Sequence, residues 1–475
     1  MSWAVLAMLT VAMAAAGTVA LPPRAPRQTS LMSGIVNMLL RSSTTNTQTE
    51  DTADLGRAAG YLVEEHSVVT GDGYILTIHR IPPFGNPTRS SANIRKNRLD
   101  PYANITSDSV SRQGNNIKPE GWDKVDNPRN TAEIPSRHTH GKDDQEVAKK
   151  VVFLQHGLMG SSDNWNTNTK QDSLAYLLSD AGYDVWMGNF RGNIYSRRHL
   201  NLTHMEPRFW SFSYDQMAQY DLPAMLDYVL EQTRVEKLHY LGHSMGTTVF
   251  FALMSSQPEY QGRIASMVGL APVATVTSMS SPIKYLAPLV DDLHFVLRLF
   301  GNDQELMTNR LLISLWDPYR VCSSHAICEN LQFLITGFDP SRADEEMVPV
   351  ILSHNPAGTS TQTLFHFVQS FNSGRFQHYD WGKNKNILHY GQAQPPEYDV
   401  TNIKIPITMF WANNDWLTSE KDVHRLQEML PHTEACYKVP NPAFSHLDFL
   451  WATDARSLVY EKVFDILDAA VQKFQ

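Results

Sequence analysis

Gly242-His243-Ser244-Met245-Gly246 lies between Lys237-Leu238-His239-Tyr240-Leu241, short and largely apolar, and Thr247-Thr248-Val249-Phe250-Phe251-Ala252-Leu253-Met254, which continues until Pro258 blocks further helix. The pentapeptide reads Gly-x-Ser-x-Gly with a strand before it and a helix after it. In that setting a serine sits on a tight turn and needs small neighbours, which Gly242 and Gly246 supply. Ser244 is therefore the candidate nucleophile of an elbow.

Outward from the elbow, strands and helices alternate. Val151-Val152-Phe153-Leu154-Gln155 and Tyr183-Asp184-Val185-Trp186-Met187-Gly188 read as strands, separated by a helical face at Leu174, Leu177 and Leu178. A helix around Leu222 to Val229 precedes the strand before Ser244, and Gly269-Leu270-Ala271-Pro272-Val273-Ala274 is the next strand and its exit. This alternation predicts a mostly parallel sheet with helices on both faces. Tyr61 to Val69 and Tyr74 to Arg80 flank Thr70-Gly71-Asp72-Gly73 and predict a hairpin at the start of the fold. The alternation then stops until Ile405 to Trp411. Between them Leu289, Leu293, Val296, Leu297 and Phe300, then Leu311 to Leu315, then Leu331 to Ile335, predict a helical insertion. The closing elements are a helix near Glu420 to Met429, a strand at Ala435 to Val439 and a helix carrying Leu458, Val463 and Leu467.

A serine hydroxyl needs a base, and the base needs an orienting acid. Past the insertion, Asp415 follows the Ile405 to Phe410 strand, whereas Asp422 falls inside a helix. Among the later histidines, His424 lies in that helix, His432 precedes the last strand, and His446 follows it in a loop. Position selects Asp415 as acid and His446 as base. His243 neighbours the serine, but adjacent elbow residues point in different directions, so it is expected to pack or hydrogen-bond locally. Backbone donors for a developing oxyanion are expected at Met245 and, in His156-Gly157-Leu158-Met159-Gly160 after the first long strand, at Leu158.

At 475 residues the chain suits one large core with an insertion, and a formal charge of −9 leaves no basic footprint for nucleic acid. Residues 1–20 carry no charged side chain and read as a secretory signal peptide ending near Val19-Ala20, so no transmembrane anchor is expected in the mature chain. Two sequons, at Asn104 and Asn201, fit that route as glycosylation acceptors. Of three cysteines, Cys322 and Cys328 form a close pair that suits a bridge in a secreted protein, although three buried thiols are an alternative; CxxC zinc spacing is absent. The expected organisation is a lead-in over 21–59, core over 60–274 interrupted by a polar insertion at 84–149, an inserted helical cap over 275–400, and core again over 401–475.

Several long strings resemble the acid lipase family, the group of gastric and lysosomal lipases and their insect relatives. They are Gly71-Asp72-Gly73-Tyr74, Leu154-Gln155-His156-Gly157-Leu158, Asn189-Phe190-Arg191-Gly192-Asn193, Gly242 to Gly246, Ser353-His354-Asn355-Pro356-Ala357-Gly358-Thr359-Ser360, and Ser445-His446-Leu447-Asp448-Phe449. The resemblance implies an α/β-hydrolase fold with a cap and lid, Ser244, Asp415 and His446 as triad, Leu158 and Met245 at the oxyanion positions, and a disulfide where Cys322 and Cys328 fall, here closer together than is usual. It implies no metal or organic cofactor, a neutral lipid ester as substrate, transient contact with a lipid interface, and an extracellular or lysosomal destination. A carboxylesterase for soluble esters and a non-catalytic lipid binder on the same fold are the alternatives, and oligomeric state is written in no motif.

Overall fold

The computed structural model describes residues 51–84, 150–281, 284, 305–306, 336–337 and 342–473. The expected signal peptide, most of the expected lead-in, almost all of the expected polar insertion, Asn104, Cys322 and Cys328, and the apolar runs at 289–300, 311–315 and 331–335 lie outside these residues.

Among the described residues the strands are β1 Glu64–Val69, β2 Tyr74–Ile81, β3 Val151–Gln155, β4 Asp184–Gly188, β5 Arg198–His199, β6 Leu238–His243, β7 Ile264–Leu270, β8 Glu305–Leu306, β9 Thr359–Ser360, β10 Ile407–Trp411 and β11 Thr433–Lys438. The main sheet runs β1-β2-β4-β3-β6-β7-β10-β11, with β5 paired to β2. The hairpin β1-β2 and the β2-β4 pair are antiparallel, and every pair from β4 to β11 is parallel. The chain runs from β3 outward to β4 and then crosses back over β3 to β6, so the strand order reverses between β3 and β6. The crevice beyond the carboxyl ends of β3 and β6 is the place where such a sheet receives a ligand.

Side chains on successive strand residues separate onto two faces, as the two-residue period of a strand requires. Phe153, Trp186, Tyr240, Met267 and Met409 join one core with the helices Leu222–Thr233 and Met245–Ser256. Val152, Leu154, Val185, Met187, Leu241, Val268 and Phe410 join another with the helices Leu174–Asp180 and Glu461–Lys473. Both faces are covered, which is why these strands read as almost unbroken apolar runs. The helix after the elbow is buried from Met245 through Met254, so its apolar residues surround it rather than lining one stripe.

The described part of 275–400 holds helices Val348–His354, Thr361–Ser373 and Lys383–Tyr390 and the antiparallel pair β8-β9. Among the described residues, no helix is long and apolar enough to cross a membrane, and no cluster of His, Cys, Asp or Glu is arranged to hold a metal ion.

Candidate active site

Strand register brings the separate loops together. Gln155 pairs with Gly242 and His243 with Leu270, so β3, β6 and β7 end side by side, and Phe410 pairs with Leu270 at the next strand. Ser244 leaves β6 with φ 52° and ψ −120°, a conformation that costs a non-glycine residue about 1–3 kcal/mol. Its surroundings hold it there. The Ser244 N–H donates to the Leu270 carbonyl at 3.0 Å, and its own carbonyl accepts from the Thr247 N–H at 2.8 Å and the Thr247 hydroxyl at 2.7 Å. Gly246 is required by the close passage of β3: a Cβ there would lie 2.4 Å from the Gln155 carbonyl oxygen. At Gly242 the approach is looser, with a Cβ there 3.0 Å from the Gly246 carbonyl carbon.

The Ser244 hydroxyl donates to His446 Nε2 at 2.8 Å, and His446 Nδ1–H donates to Asp415 Oδ2 at 2.7 Å. All three side chains are buried, so each bond acts in a low dielectric. Asp415 also serves as a turn residue: its Oδ1 accepts from the N–H groups of Leu417 at 2.9 Å and Thr418 at 2.7 Å. The local capping role and the role toward His446 fall to the two oxygens of one carboxylate. Asn414 instead donates to the carbonyls of Gly337 and Ala443, both at 3.0 Å.

The turn after β3 lies directly against the serine. A Cβ at Gly157 would come 3.0 Å from Ser244 Cβ. The backbone N–H groups of Leu158 and Met245 have no acceptor among the described residues. Two unengaged donors beside a hydroxyl bonded to imidazole can serve an anionic oxygen. His156 anchors that turn, with Nδ1–H donating to the Gly157 carbonyl at 2.8 Å and Nε2 accepting from the Phe190 N–H at 3.2 Å. Burial lowers its pKa to about 4, so the ring stays neutral and keeps both bonds.

The other sequence candidates fall elsewhere. Ser419 caps the helix that carries Asp422, whose carboxylate accepts from the Ser419 and Thr277 hydroxyls and the Ser278 N–H, while His424 is exposed and the His432 carbonyl accepts from the Ile407 N–H. Asn201 is exposed. Cys436 is free and half-buried on β11, and burial pushes its thiol up to about 11. His243 is buried and packs against the His446 ring, and its hydrogen bond is not local: Nε2–H donates to the His446 carbonyl at 2.9 Å, across 203 positions of sequence. Sequence reasoning also missed the support beneath the base. Asp448, buried, accepts from the Ser445 N–H at 2.7 Å and pairs with Arg342 at 3.3 Å. Its signal was present in Ser445-His446-Leu447-Asp448, where an acid three residues past a serine can close the loop back on itself.

The alpha/beta hydrolase fold family matches residues 150–453, and a partial alpha/beta-hydrolase lipase region matches residues 52–106 and 124–169. Gastric triacylglycerol lipase of Homo sapiens is 38% identical over 417 residues, covering 86% of this chain and 88% of the relative. Lysosomal acid lipase/cholesteryl ester hydrolase of Homo sapiens is 40% identical over 413 residues, again 86% of this chain and 88% of the relative. Lipase member K of Mus musculus is 33% identical over 447 residues, 93% of this chain and 97% of the relative.

Proposed function

The chain belongs to the acid lipase family of α/β hydrolases, and from that membership we propose that it cleaves carboxylic ester bonds of neutral lipids through an acyl-enzyme. The observation that carries this reading is the unbroken relay from Ser244 through His446 to Asp415 at the carboxyl ends of parallel strands. Ser244 Oγ attacks the ester carbonyl carbon while His446 Nε2 takes its proton. Negative charge on the former carbonyl oxygen is met by the N–H groups of Leu158 and Met245. His446 then returns the proton to the departing alcohol, and water repeats the sequence on the acyl-enzyme. Asp415 accepts from Nδ1–H and so holds the imidazole with its proton on Nδ1. None of these steps calls for a metal or organic cofactor.

We assign substrate selection and transient contact with a lipid interface to residues 275–400, the segment expected to form the cap. Two bonds from that segment onto the turn after β3 support this: the Ala357 N–H donates to the Met159 carbonyl at 2.7 Å, and Asn164 Nδ2 donates to Asn355 Oδ1 at 3.1 Å. Triacylglycerol and sterol ester are the substrate classes named for the relatives. A signal-like start and the exposed sequon at Asn201 support passage through the secretory pathway to an extracellular or lysosomal site.

Ser244→Ala in purified protein tests the mechanism on a long-chain ester. Loss of hydrolysis is expected, and full retained activity would sink it. Equal rates on dissolved and emulsified ester would replace the lipase reading with a soluble-ester carboxylesterase. Failure of a fluorophosphonate to label the folded protein would replace it with a non-catalytic lipid binder.

A further inference from the structure

His243, the residue before the nucleophile, makes contacts that the relay does not explain. It is 2% exposed at the end of β6, with its ring centroid 4.8 Å from that of His446. Its Nε2 lies 2.9 Å from the His446 carbonyl oxygen. A carbonyl can only accept, so the ring carries a proton on Nε2. Burial, and then the neighbouring His446, hold its pKa well below the ordinary histidine value, so the ring is neutral. Nδ1 is then a bare lone pair, and it has no partner among the described residues. That edge meets the turn after β3, because a Cβ at Gly157 would lie 3.1 Å from His243 Nδ1. An apolar ring would fill the same volume without leaving a buried nitrogen unpaired. The Nε2–H bond is what an apolar ring could not supply.

We propose that His243 is a positioning residue, whose Nε2–H fixes the main chain of His446 while its opposite edge spaces the Gly157 turn. The inference rests on the reading of Ser244 and His446 as nucleophile and base. Asp415 sets the rotation of the His446 ring through Nδ1, but a ring contact does not by itself fix the His446 main chain. Asn414 holds the carbonyls of Ala443 and Phe444 and Asp448 holds the Ser445 N–H, whereas the main chain of His446 itself is held by His243. Without that bond the His446 carbonyl becomes a buried acceptor with no donor among the described residues. A shift of about 1 Å in a reacting group costs roughly a hundredfold in rate.

Ser244→Ala, His243→Phe and His243→Gln, compared with the unaltered chain on a long-chain ester, test the proposal. Phenylalanine keeps the ring and removes the donor, whereas the glutamine amide can reach the position of Nε2. His243→Phe should lose about ten- to hundredfold in kcat with KM within about twofold, and His243→Gln should regain most of that loss. Wild-type kcat in His243→Phe, or equal impairment in both variants, overturns the role of His243 while an inactive Ser244→Ala leaves the nucleophile standing. An active Ser244→Ala overturns both readings together. Thermal unfolding checks that each variant folds. If one does not, nitrogen NMR of the histidine-labelled unaltered chain decides: His243 neutral and protonated at Nε2 is expected, and an imidazolium or an Nδ1–H tautomer overturns the proposal.

Discussion

Replacing Asp415 by Asn should abolish turnover by forcing the base into the wrong tautomer. Oδ1 accepts two backbone N–H groups, from Leu417 and Thr418, whereas Oδ2 accepts one bond from His446. An asparagine amide must choose which side its oxygen faces. Turning the NH₂ toward the two backbone donors would leave both unpaired, at about 1–3 kcal/mol each. The favoured arrangement keeps the oxygen there and aims the NH₂ at His446. Nδ1 must then accept, which moves the ring proton to Nε2, 2.8 Å from Ser244 Oγ. A nitrogen that already carries a proton cannot take another from the serine. The analogous exchange in a serine protease costs about 10⁴-fold in kcat, equivalent to roughly 5.5 kcal/mol of barrier. The assay is kcat on a long-chain ester, with thermal unfolding to show that the turn is intact. A folded Asp415→Asn chain within about tenfold of wild-type kcat would refute the reasoning.

Gly246→Ala should destabilise the fold by about 1–3 kcal/mol or more and remove activity, because its Cβ would sit 2.4 Å from the Gln155 carbonyl oxygen on a central strand. Gly262→Ala is the control, since nothing lies within 4 Å of its Cβ; equal unfolding midpoints for the two variants would contradict this account. Arg191→Leu should cost about 3–5 kcal/mol in urea unfolding, as it strands the fully buried Asp221 carboxylate that now pairs with the guanidinium at 2.6 Å, and a loss under about 1 kcal/mol would refute it. Burial alone would raise the Asp215 pKa, but His366, His378 and Tyr398 outweigh it and hold the carboxylate at about 2, below its ordinary 3.8. The folded state therefore binds fewer protons than the unfolded one, and this contribution, about 2 kcal/mol, is present above pH about 4 and lost as pH falls toward about 2. Asp215→Asn should trail the unaltered chain at pH about 5, with the gap roughly halved by pH about 3 and closing toward pH about 2; a gap that widens on acidification would contradict the sign.

The elbow and the candidate acid and base are legible because each is announced locally. A strand-to-helix turn with small residues at Gly242 and Gly246 needs only a short window, and Asp415 and His446 are selected by following identifiable strands. In the structure Ser244, His446 and Asp415 are joined by hydrogen bonds of 2.8 and 2.7 Å. The partner of His243 is hidden for the opposite reason. It lies 203 residues away, and neither periodicity nor motif spacing encodes which loop end meets which.

Local sequence thus determined the alternation of strand and helix, the turn bearing Ser244, and the chain order of serine, acid and histidine, since these depend on hydrogen bonding and side-chain period within a few residues. Tertiary structure alone decided the strand order β4-β3-β6-β7-β10, the approach of Gly157 to Ser244, the division of Asp415 between two backbone donors and one imidazole, and the bond from His243 to His446. Apart from the local turn at Asp415, those contacts close long loops, and they are stable only when both partners are already held by the sheet and its two buried faces.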